Sequence, residues 1–350
     1  MDQIRCKKCW MPSSRPGSSF VDGVCGACRN FDRRKEIDWV KRDLELSEIL
    51  SRFRSKDGTY DVLIPVSGGK DSHRLVDEMI GRDMHPLLVT VTDSFTHTSA
   101  GVENLRNLIT FYNVNHWQYT ISHDLFVRAT KWAFEQTGEA LKFVEYAIYT
   151  VPFMLAKALG ISLVVYGENS SYEYGSSDHD DYVANPHINA MMRKIEDERD
   201  WWIEGGIEGV EVDSIITQPA DFPLVIYMSY FIPWSSVENY KMAKKIGFKD
   251  LEGEWDRKGT MENFEQIDSQ AYMIHLWLKY PKFGFQRVSD IASRRVREGR
   301  MTLAEAKRII GAQDKMIDPI ALADFCETLG YSKDRFWQIV KDAEWNRYPV

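Results

Sequence analysis

The sequence predicts an α/β protein in which a doubly wound parallel sheet lies between an N-terminal cysteine-rich module and a mainly helical C-terminal region. Short apolar runs alternate with amphipathic helical patterns over residues 57–250, which is typical of parallel strands with helices on both faces. Four of the five cysteines lie within the first 32 residues, ahead of this pattern. Residues 251–350 follow it and become largely helical from about Phe264 onwards.

The first 35 residues are predicted to form a zinc-ribbon module. Cys6 with Cys9 and Cys25 with Cys28 form two Cys-x2-Cys pairs, separated by fifteen residues. The segment has too few apolar residues for a core of its own, so it needs a cross-link or a metal. Four thiolates at this spacing are typical of a closed tetrahedral Zn2+ site. We therefore predict a structural Zn2+ ion, with an iron–sulfur cluster as the main alternative.

A connecting helix is predicted over residues 36–56, between the cysteine-rich module and the sheet. Apolar residues recur there at roughly helical spacing among charged ones, the pattern of a helix with one buried face. The residues that define this face are Ile37, Val40, Leu44, Ile49 and Phe53. The turn Lys56-Asp57-Gly58 ends the helix.

The sheet is predicted from apolar runs of strand length. Strands are expected at 60–66, 86–91, 116–121 and 161–166, with helices at about 100–112, 125–136 and 140–159. Pro65 lacks a backbone donor and fits only the end of the first strand. Further along the chain, the pattern predicts a helix over 188–202. Residues 215–216 and 224–231 indicate one more strand and a helix.

A glycine-rich loop, Ser67-Gly68-Gly69-Lys70-Asp71-Ser72, follows the first predicted strand and opens a helix. Backbone N–H groups and the positive end of the dipole at a helix start attract anions. Gly68 and Gly69 allow unusual backbone angles and a close approach, and the two serine hydroxyls can donate hydrogen bonds. Lys70 adds a positive charge, and Asp71 can bind Mg2+ or order the loop. The sequence therefore predicts a phosphate-binding loop, although not the G-x-x-x-x-G-K-[ST] type.

Polar residues also follow two later strands. Glu168 and Asn169 come directly after the strand predicted at 161–166, and Asp93 follows the strand predicted at 86–91. Ligands of parallel sheets bind outside the carboxyl ends of the strands. Glu168 is therefore a candidate for Mg2+ coordination or for substrate positioning. A polar helix cap is the alternative reading of this segment.

The glycine-rich loop resembles the SGGxDS signature of the PP-loop ATP pyrophosphatases, whose fold is of the adenine nucleotide alpha hydrolase-like type. The resemblance implies that residues 67–72 bind ATP with Mg2+. It also implies that the enzyme adenylates an oxygen atom, releases pyrophosphate and lets a nucleophile displace AMP. Lys70, Asp71 and Glu168 are the catalytic residues predicted on this basis.

A narrower resemblance extends from Cys6 to about Ala306. Its most specific part is Lys282-Phe283-Gly284-Phe285-Gln286-Arg287, followed by Asp290 and Ala292-Ser293-Arg294. Residues 166–175 and the motif Phe231-Ile232-Pro233-Trp234 also contribute. Together these segments are similar to the N-acetyl sugar amidotransferase family of bacterial surface-polysaccharide biosynthesis.

This family resemblance implies that an acetamido group on a sugar becomes an acetamidino group. The amide oxygen is adenylated by ATP, and ammonia then displaces AMP from the resulting imidate. The implied substrate is a nucleotide-linked or acidic N-acetyl sugar, since guanidinium groups match carboxylate and phosphate. The substrate-binding residues predicted from the resemblance are Asn169, Tyr174, Lys282, Arg287 and Arg294.

The resemblance also implies that ammonia comes from a separate glutaminase with a cyclase-like chain. A built-in glutaminase needs an activated cysteine. Cys326, the only cysteine outside the N-terminal module, has no evident histidine partner and is predicted to be a packing residue.

Composition restricts the remaining alternatives. The net charge of −8 disfavours a nucleic-acid partner, since polyanion binding needs a basic surface. No apolar run is long enough to span a membrane, and we expect a cytoplasmic protein. Two rival functions remain open from the sequence: an ATP-dependent tRNA thiolation enzyme and a non-catalytic zinc-ribbon scaffold.

Overall fold

The computed structural model describes residues 4–216 and 223–348 of the chain. Residues 1–3, 217–222 and 349–350 lie outside this description. The chain begins with a hairpin in which β1 (Phe20–Val21) pairs antiparallel with β2 (Val24–Cys25). Helix α1 (Gly26–Arg33) and a single 3-10 turn (Arg34–Glu36) follow it. The four clustered cysteines are buried beside this hairpin, an arrangement typical of a zinc ribbon.

Helix α2 (Trp39–Phe53) lies within the predicted connecting helix, but the predicted buried face is partly wrong. Val40 and Leu44 are 73% and 61% exposed, whereas Leu46, Ile49 and Leu50 are buried against the sheet. Val40 lies nine residues, or about two and a half turns, before Ile49 and therefore on the opposite side of the helix. The spacing of Leu46, Ile49 and Leu50 at i, i+3 and i+4 is what defines the buried stripe.

The central sheet contains five parallel strands. They are β3 (Val62–Pro65), β4 (Pro86–Thr92), β5 (Asn115–Thr120), β6 (Leu163–Tyr166) and β7 (Leu224–Tyr227). Their order across the sheet is β5-β4-β3-β6-β7, so the chain first builds outward from β3 on one side and then on the other. The boundary between β3 and β6 is the point where this order reverses. Ligands of doubly wound sheets bind at such a point.

Helices cover both faces of the sheet, which confirms the predicted fold class. Within β3, Val62 and Ile64 pack into one apolar cluster while Leu63 packs into another on the opposite face. This alternation requires a layer of helices on each side. The helices of this region are α3 (Lys70–Ile80), α4 (Ser99–Tyr112), α5 (His123–Thr137), α6 (Lys142–Ala158), α7 (Ser170–Glu173), α8 (Asn185–Asp197), α9 (Arg199–Glu204), α10 (Gly209–Ile216), α11 (Met228–Phe231) and α12 (Ser236–Lys245).

Two details of this region differ from the sequence predictions. The helix predicted over 188–202 is two helices, α8 and α9, which meet at Glu198. The carboxylate of Glu198 accepts hydrogen bonds from Lys142 and Tyr146 of α6, a tertiary contact that no local pattern shows. Ile215 lies in helix α10, so the additional strand consists of 224–227 alone.

Within the described residues, the C-terminal region contains six helices, which agrees with the largely helical pattern predicted from about Phe264 onwards. They are α13 (Tyr272–Trp277), α14 (Lys279–Phe283), α15 (Arg287–Arg297), α16 (Leu303–Gln313), α17 (Pro319–Leu329) and α18 (Lys333–Asp342). Phe336 of α18 stacks on Phe134 of α5, and Phe325 packs edge-on against both rings. The region therefore shares its core with the helices of the sheet. No helix in the described parts of the chain is long and apolar enough to cross a bilayer.

Candidate active site

The glycine-rich loop connects the end of β3 to the start of α3, as predicted. Gly68 has a φ of +85°, a conformation that side chains rarely adopt. A Cβ atom at Gly68 would lie 2.8 Å from the backbone of Leu105 in α4, so the close approach of α4 also requires glycine. The hydroxyl of Ser72 accepts a hydrogen bond from the backbone N–H of Ser67 at 3.1 Å, which fixes the two ends of the loop.

Lys70 is the first residue of α3, and its side chain is buried beside two carboxylates. Its Nζ lies 2.6 Å from Asp71 and 3.2 Å from Glu265, while Asp71 also accepts a hydrogen bond from Asn239 at 2.7 Å. Burial opposes the charge of Lys70, but the carboxylates of Asp71 and Glu265 outweigh it and raise the pKa of the ammonium group. Lys70 is therefore a fixed cation at the start of the helix. Sequence reasoning missed both Glu265 and Asn239.

Two arginines predicted to bind substrate surround Glu265. Arg287 pairs with Glu265 and donates a hydrogen bond to the Tyr174 hydroxyl at 3.2 Å. Arg294 pairs with Glu265 at 2.8 Å and with Glu262 at 2.9 Å. Both arginines and Tyr174 are thus brought next to Lys70. Their guanidinium charges, however, are balanced by buried carboxylates.

The segment after β6 places Glu168 and Asn169 differently. Asn169 is the N-cap of α7, where its side-chain oxygen accepts a hydrogen bond from the backbone N–H of Tyr172 at 3.1 Å. The helix-cap reading of this segment therefore holds for Asn169. Glu168 faces the open cleft and, within the described parts of the chain, makes no hydrogen bond or ion pair. Although the Glu168 side chain reaches solvent, the surrounding cleft walls and the negative charges of Asp71 and Glu173 raise the pKa of Glu168 to about 7.

Two cavities meet at Lys70 and Asp71. The larger one measures about 580 Å3 and extends from the glycine-rich loop along the ends of β4 and β5 to α4 and α6. The smaller one measures about 70 Å3 and reaches Glu168 and Tyr174. Pockets for cofactors and other small molecules usually measure about 300–1,000 Å3, whereas a water molecule takes about 30 Å3. Only the larger cavity therefore has the size for a nucleotide.

The larger cavity contains a pair of aspartates. Asp93, which the sequence indicated, accepts hydrogen bonds from the Ser269 hydroxyl at 2.8 Å and from the backbone N–H of Phe95 at 3.0 Å. Burial raises the pKa of Asp93. Burial and the negative charge of Asp93 together raise the pKa of Asp268 to about 7. Asp268 was missed because it lies in a segment without regular secondary structure, far along the chain from the strands.

One predicted substrate residue lies elsewhere. Lys282 is in the last turn of α14, where its Nζ pairs with Glu139 at 3.0 Å. Lys282 is not among the described residues that line either cavity. The structure therefore does not bring Lys282 to the glycine-rich loop, because the end of α14 packs near the end of α5 instead.

A known protein family matches the segment that supplies Glu262, Glu265, Arg287 and Arg294. Residues 258–348 match the family model described as LPS biosynthesis protein WbpG-like, C-terminal domain. The C-terminal region is WbpG-like. The match covers the stretch 282–294 on which the family resemblance mainly depended, and it confirms that resemblance. This WbpG-like region thus contributes the buried carboxylates and arginines around Lys70.

Two solved structures match the chain at low similarity. NMN synthetase from Francisella tularensis is 12% identical with a TM-score of 0.37, over 85% of this chain and 96% of that chain. The NH3-dependent NAD synthetase from Campylobacter jejuni subsp. jejuni NCTC 11168 in complex with the nitrate ion is 14% identical with a TM-score of 0.30, over 63% and 98%. Similarity at this level does not indicate a shared activity. No curated protein matches the chain.

The four predicted metal ligands are brought together. The Sγ atoms of Cys6, Cys9, Cys25 and Cys28 all lie within 4.8 Å of one another, with Cys6 and Cys28 3.8 Å apart and Cys9 and Cys25 3.6 Å apart. A Zn–S bond of about 2.3 Å gives tetrahedral edges of about 3.8 Å, so the cluster fits Zn2+. Arg297 of the WbpG-like region donates a hydrogen bond to the Cys9 sulfur at 3.7 Å. This guanidinium compensates part of the negative charge of the thiolates.

The cysteine module packs on the segment that carries Glu168 and Tyr174. Asn30 donates a hydrogen bond to the backbone carbonyl of Tyr172 at 2.7 Å, and Arg34 pairs with Glu173. The guanidinium of Arg15 lies 4.0 Å above the centre of the Tyr174 ring. The module therefore contacts residues 172–175 directly.

Proposed function

We propose that this chain is an ATP-dependent amidotransferase that converts an acetamido group on a sugar into an acetamidino group, releasing AMP and pyrophosphate. The observation that carries the proposal is the meeting of a nucleotide-sized cavity and a much smaller polar cavity at Lys70 and Asp71, beside the glycine-rich loop. The WbpG-like region, named for proteins of LPS biosynthesis, supports a sugar as the substrate.

In this proposal, ATP lies in the larger cavity with its phosphates at the N-terminus of α3. The backbone N–H groups of Gly68 and Gly69 and the helix dipole favour the negative charge there. Mg2+ prefers oxygen ligands and would be held by the carboxylate of Asp71, where it neutralises phosphate charge. The amide oxygen of the sugar attacks the α-phosphorus, and a new P–O bond forms. The bond between the α-phosphorus and the oxygen bridging to the β-phosphate then breaks, and pyrophosphate leaves.

The smaller cavity has the size for ammonia rather than for a sugar. Ammonia forms a bond to the imidate carbon, and the carbon–oxygen bond to AMP breaks with its electron pair going to the AMP oxygen. The imidate nitrogen keeps the amide proton, so addition of neutral ammonia and departure of a protonated amidine leave one proton per turnover. Glu168 is unpartnered, faces this cavity and has a pKa of about 7, so we assign it the role of accepting that proton.

The sugar ring would remain outside the smaller cavity and approach it beside Tyr174, one of the residues that line it. The side-chain oxygen of Asn169 caps α7 and is therefore not available to bind the sugar. Asn169 would instead help to fix the position of the neighbouring Glu168. Arg287 and Arg294 would position Glu265 and Tyr174, since carboxylates balance their own charges. The nucleotide carrier and the acidic groups of the sugar would therefore bind to residues other than those named above.

We also propose that ammonia comes from a separate glutaminase and a cyclase-like chain. Cys326, the only cysteine outside the N-terminal module, is buried in the C-terminal core. Burial raises the pKa of the Cys326 thiol, which disfavours the reactive thiolate. Free ammonium should therefore support the reaction of the isolated chain, and glutamine should do so only with the partners present.

The test is incubation of the purified chain with ATP, Mg2+, ammonium and a panel of nucleotide-linked diacetamido sugars. Mass spectrometry should detect one sugar in which an amide oxygen is exchanged for NH, with an equal amount of AMP. AMP formation without a change in any sugar, or no AMP at all, would contradict the proposal. Replacement of ammonium by glutamine is the matched control and should give no product.

A further inference from the structure

The positive charge available to a nucleotide in the larger cavity is small. Among the described residues that line it, Lys70 and Arg106 are the only lysine and arginine, against five carboxylates. These carboxylates belong to Asp71, Asp93, Glu145, Glu265 and Asp268. The charge of Lys70 is already balanced by Asp71 and Glu265, with which it pairs. A triphosphate entering this cavity therefore needs a further source of positive charge.

Arg106 has the position and the freedom to supply it. The residue lies on the exposed side of α4, and its guanidinium makes no hydrogen bond or ion pair with any residue that the structure describes. The preceding residue, Leu105, is the one whose backbone packs against Gly68 of the glycine-rich loop. Arg106 therefore lines the cavity from the helix that contacts the loop itself.

Guanidinium groups bind phosphate oxygens through two parallel N–H donors, and they remain charged at any physiological pH. We propose that Arg106 binds the β- and γ-phosphates of ATP at the glycine-rich loop and stabilises pyrophosphate as it leaves. The proposal rests on the ATP-dependent function proposed above. When the bond between the α-phosphorus and the bridging oxygen breaks, its electron pair goes to that oxygen. The extra negative charge then develops on the group that Arg106 contacts, so its stabilisation increases as the bond breaks.

The role of Arg106 can be tested with ATP, pyrophosphate and AMP alone, whatever the identity of the sugar. Arg106→Ala should weaken the binding of Mg·ATP and of Mg·pyrophosphate at least tenfold, while the affinity for AMP changes less than twofold. Arg106→Lys should recover part of the affinity, because it restores the charge without the paired donors. Calorimetric titration of each variant with the three ligands measures these values.

The matched control is Arg52→Ala. Arg52 is an exposed arginine on α2 that lines neither cavity, so this variant removes the same charge elsewhere. It should bind all three ligands as the unmodified chain does. The melting temperatures of both alanine variants should agree with that of the unmodified chain, since both side chains are exposed.

Two results would overturn the role of Arg106 while leaving the proposed function intact. One is unchanged binding of ATP and pyrophosphate in Arg106→Ala, which would mean that Arg106 is a solvated helix charge. The other is equal weakening of AMP and ATP, which would place the side chain away from the leaving phosphates. An unmodified chain that binds neither ATP nor pyrophosphate would contradict both the proposed function and this inference.

Discussion

The charge of Lys70 is set by neighbours that come from distant parts of the chain. Asp71 follows it directly, whereas Glu265 belongs to the WbpG-like region and reaches it across the site. Because these carboxylates raise its pKa, the ammonium group stays protonated and can donate a hydrogen bond to a phosphate oxygen without being consumed as an acid. Lys70 is thus suited to electrostatic stabilisation of the displaced group rather than to proton transfer.

Lys70→Ala tests this role. We expect AMP formation to fall below detection, because the fixed positive charge at the start of α3 is lost. Stability should fall only moderately, because Glu265 keeps Arg287 and Arg294 as partners and Asp71 is accessible to solvent. AMP formation, the melting temperature and the bound zinc should be measured on the same preparation. Zinc content should be unchanged, and AMP formation retained at the level of the unmodified chain would exclude the assigned role.

Glu168→Gln tests the proton acceptor through its pH dependence. Amidine formation should increase as pH rises through about 7, because Glu168 then becomes a carboxylate that can accept a proton. The variant should lose this rise, while release of pyrophosphate continues. The free ammonia concentration must be held constant across the pH series, so that only the protein titrates. Identical pH profiles for the two proteins would contradict the assignment.

The same substitution has an expected effect on stability. The pKa of Glu168 is raised from 4.5 to about 7 in the folded protein, so the folded state binds more protons than the unfolded state between these values. Stability from this group is therefore present below about pH 4.5 and is lost as pH rises through 7. Glu168→Gln should flatten that dependence in denaturant titrations above pH 5, although exposure of the side chain makes the effect small.

At the level of single residues, the sequence predicted the local features of the site but not its partners. The glycine-rich loop and the two cysteine pairs are recognisable because their chemistry depends on contiguous residues. Arg287 and Arg294 lie beside the glycine-rich loop, yet the sequence could not show that Glu262 and Glu265 balance their charges. Those glutamates lie in a loop between α12 and α13, where no periodic pattern marks them as buried.

At the level of elements, the cysteine module and helix α15 hold the active-site segment between them. Helix α15 begins at Arg287, and its last turn carries Arg294, which pairs with Glu265, and Arg297, which contacts Cys9. On the module's side, Arg34 pairs with Glu173, and Arg15 pairs with Asp290 of α15. The four-cysteine cluster is therefore connected to the candidate active site through one helix and one loop.

Removal of zinc should loosen this segment before the sheet is affected. Structural zinc contributes directly to folding of such modules, so chelation should release the hairpin and α1. We expect faster hydrogen exchange at Tyr174 and Ser176, whose N–H groups bond to Ser170 and Ser171. Amides of the buried strand β4 serve as the control and should keep their protection. Unchanged exchange at Tyr174 after complete loss of zinc would contradict the positioning role of the module.

The elements themselves were predictable to different degrees. Strands β3, β4 and β6 were predicted correctly because both of their faces are buried and the runs are apolar throughout. The face of α2 was partly mispredicted, since Val40 and Leu44 have helical spacing but point away from the sheet. In the C-terminal region, the starts of α16, α17 and α18 are set by N-caps at Thr302, Asp318 and Ser332, which are local signals that the sequence prediction did not use.

At the level of the whole molecule, the sheet and the WbpG-like region together form the candidate active site. The sheet provides the glycine-rich loop and the larger cavity, and the WbpG-like region provides Glu265, Arg287 and Arg294. Neither part alone has both the loop and the groups that balance Lys70. The shared core of Phe134, Phe325 and Phe336 explains why the two parts hold a fixed relation.

The most direct test of the central claim is a crystal structure with Mg2+ and an ATP analogue whose bridge between the α- and β-phosphates is a methylene group. The phosphates should lie on the backbone N–H groups of Gly68 and Gly69, with the base in the larger cavity. The α-phosphorus should face the junction of the two cavities at Lys70 and Asp71. A nucleotide bound at another place, with the glycine-rich loop free of phosphate, would contradict the account.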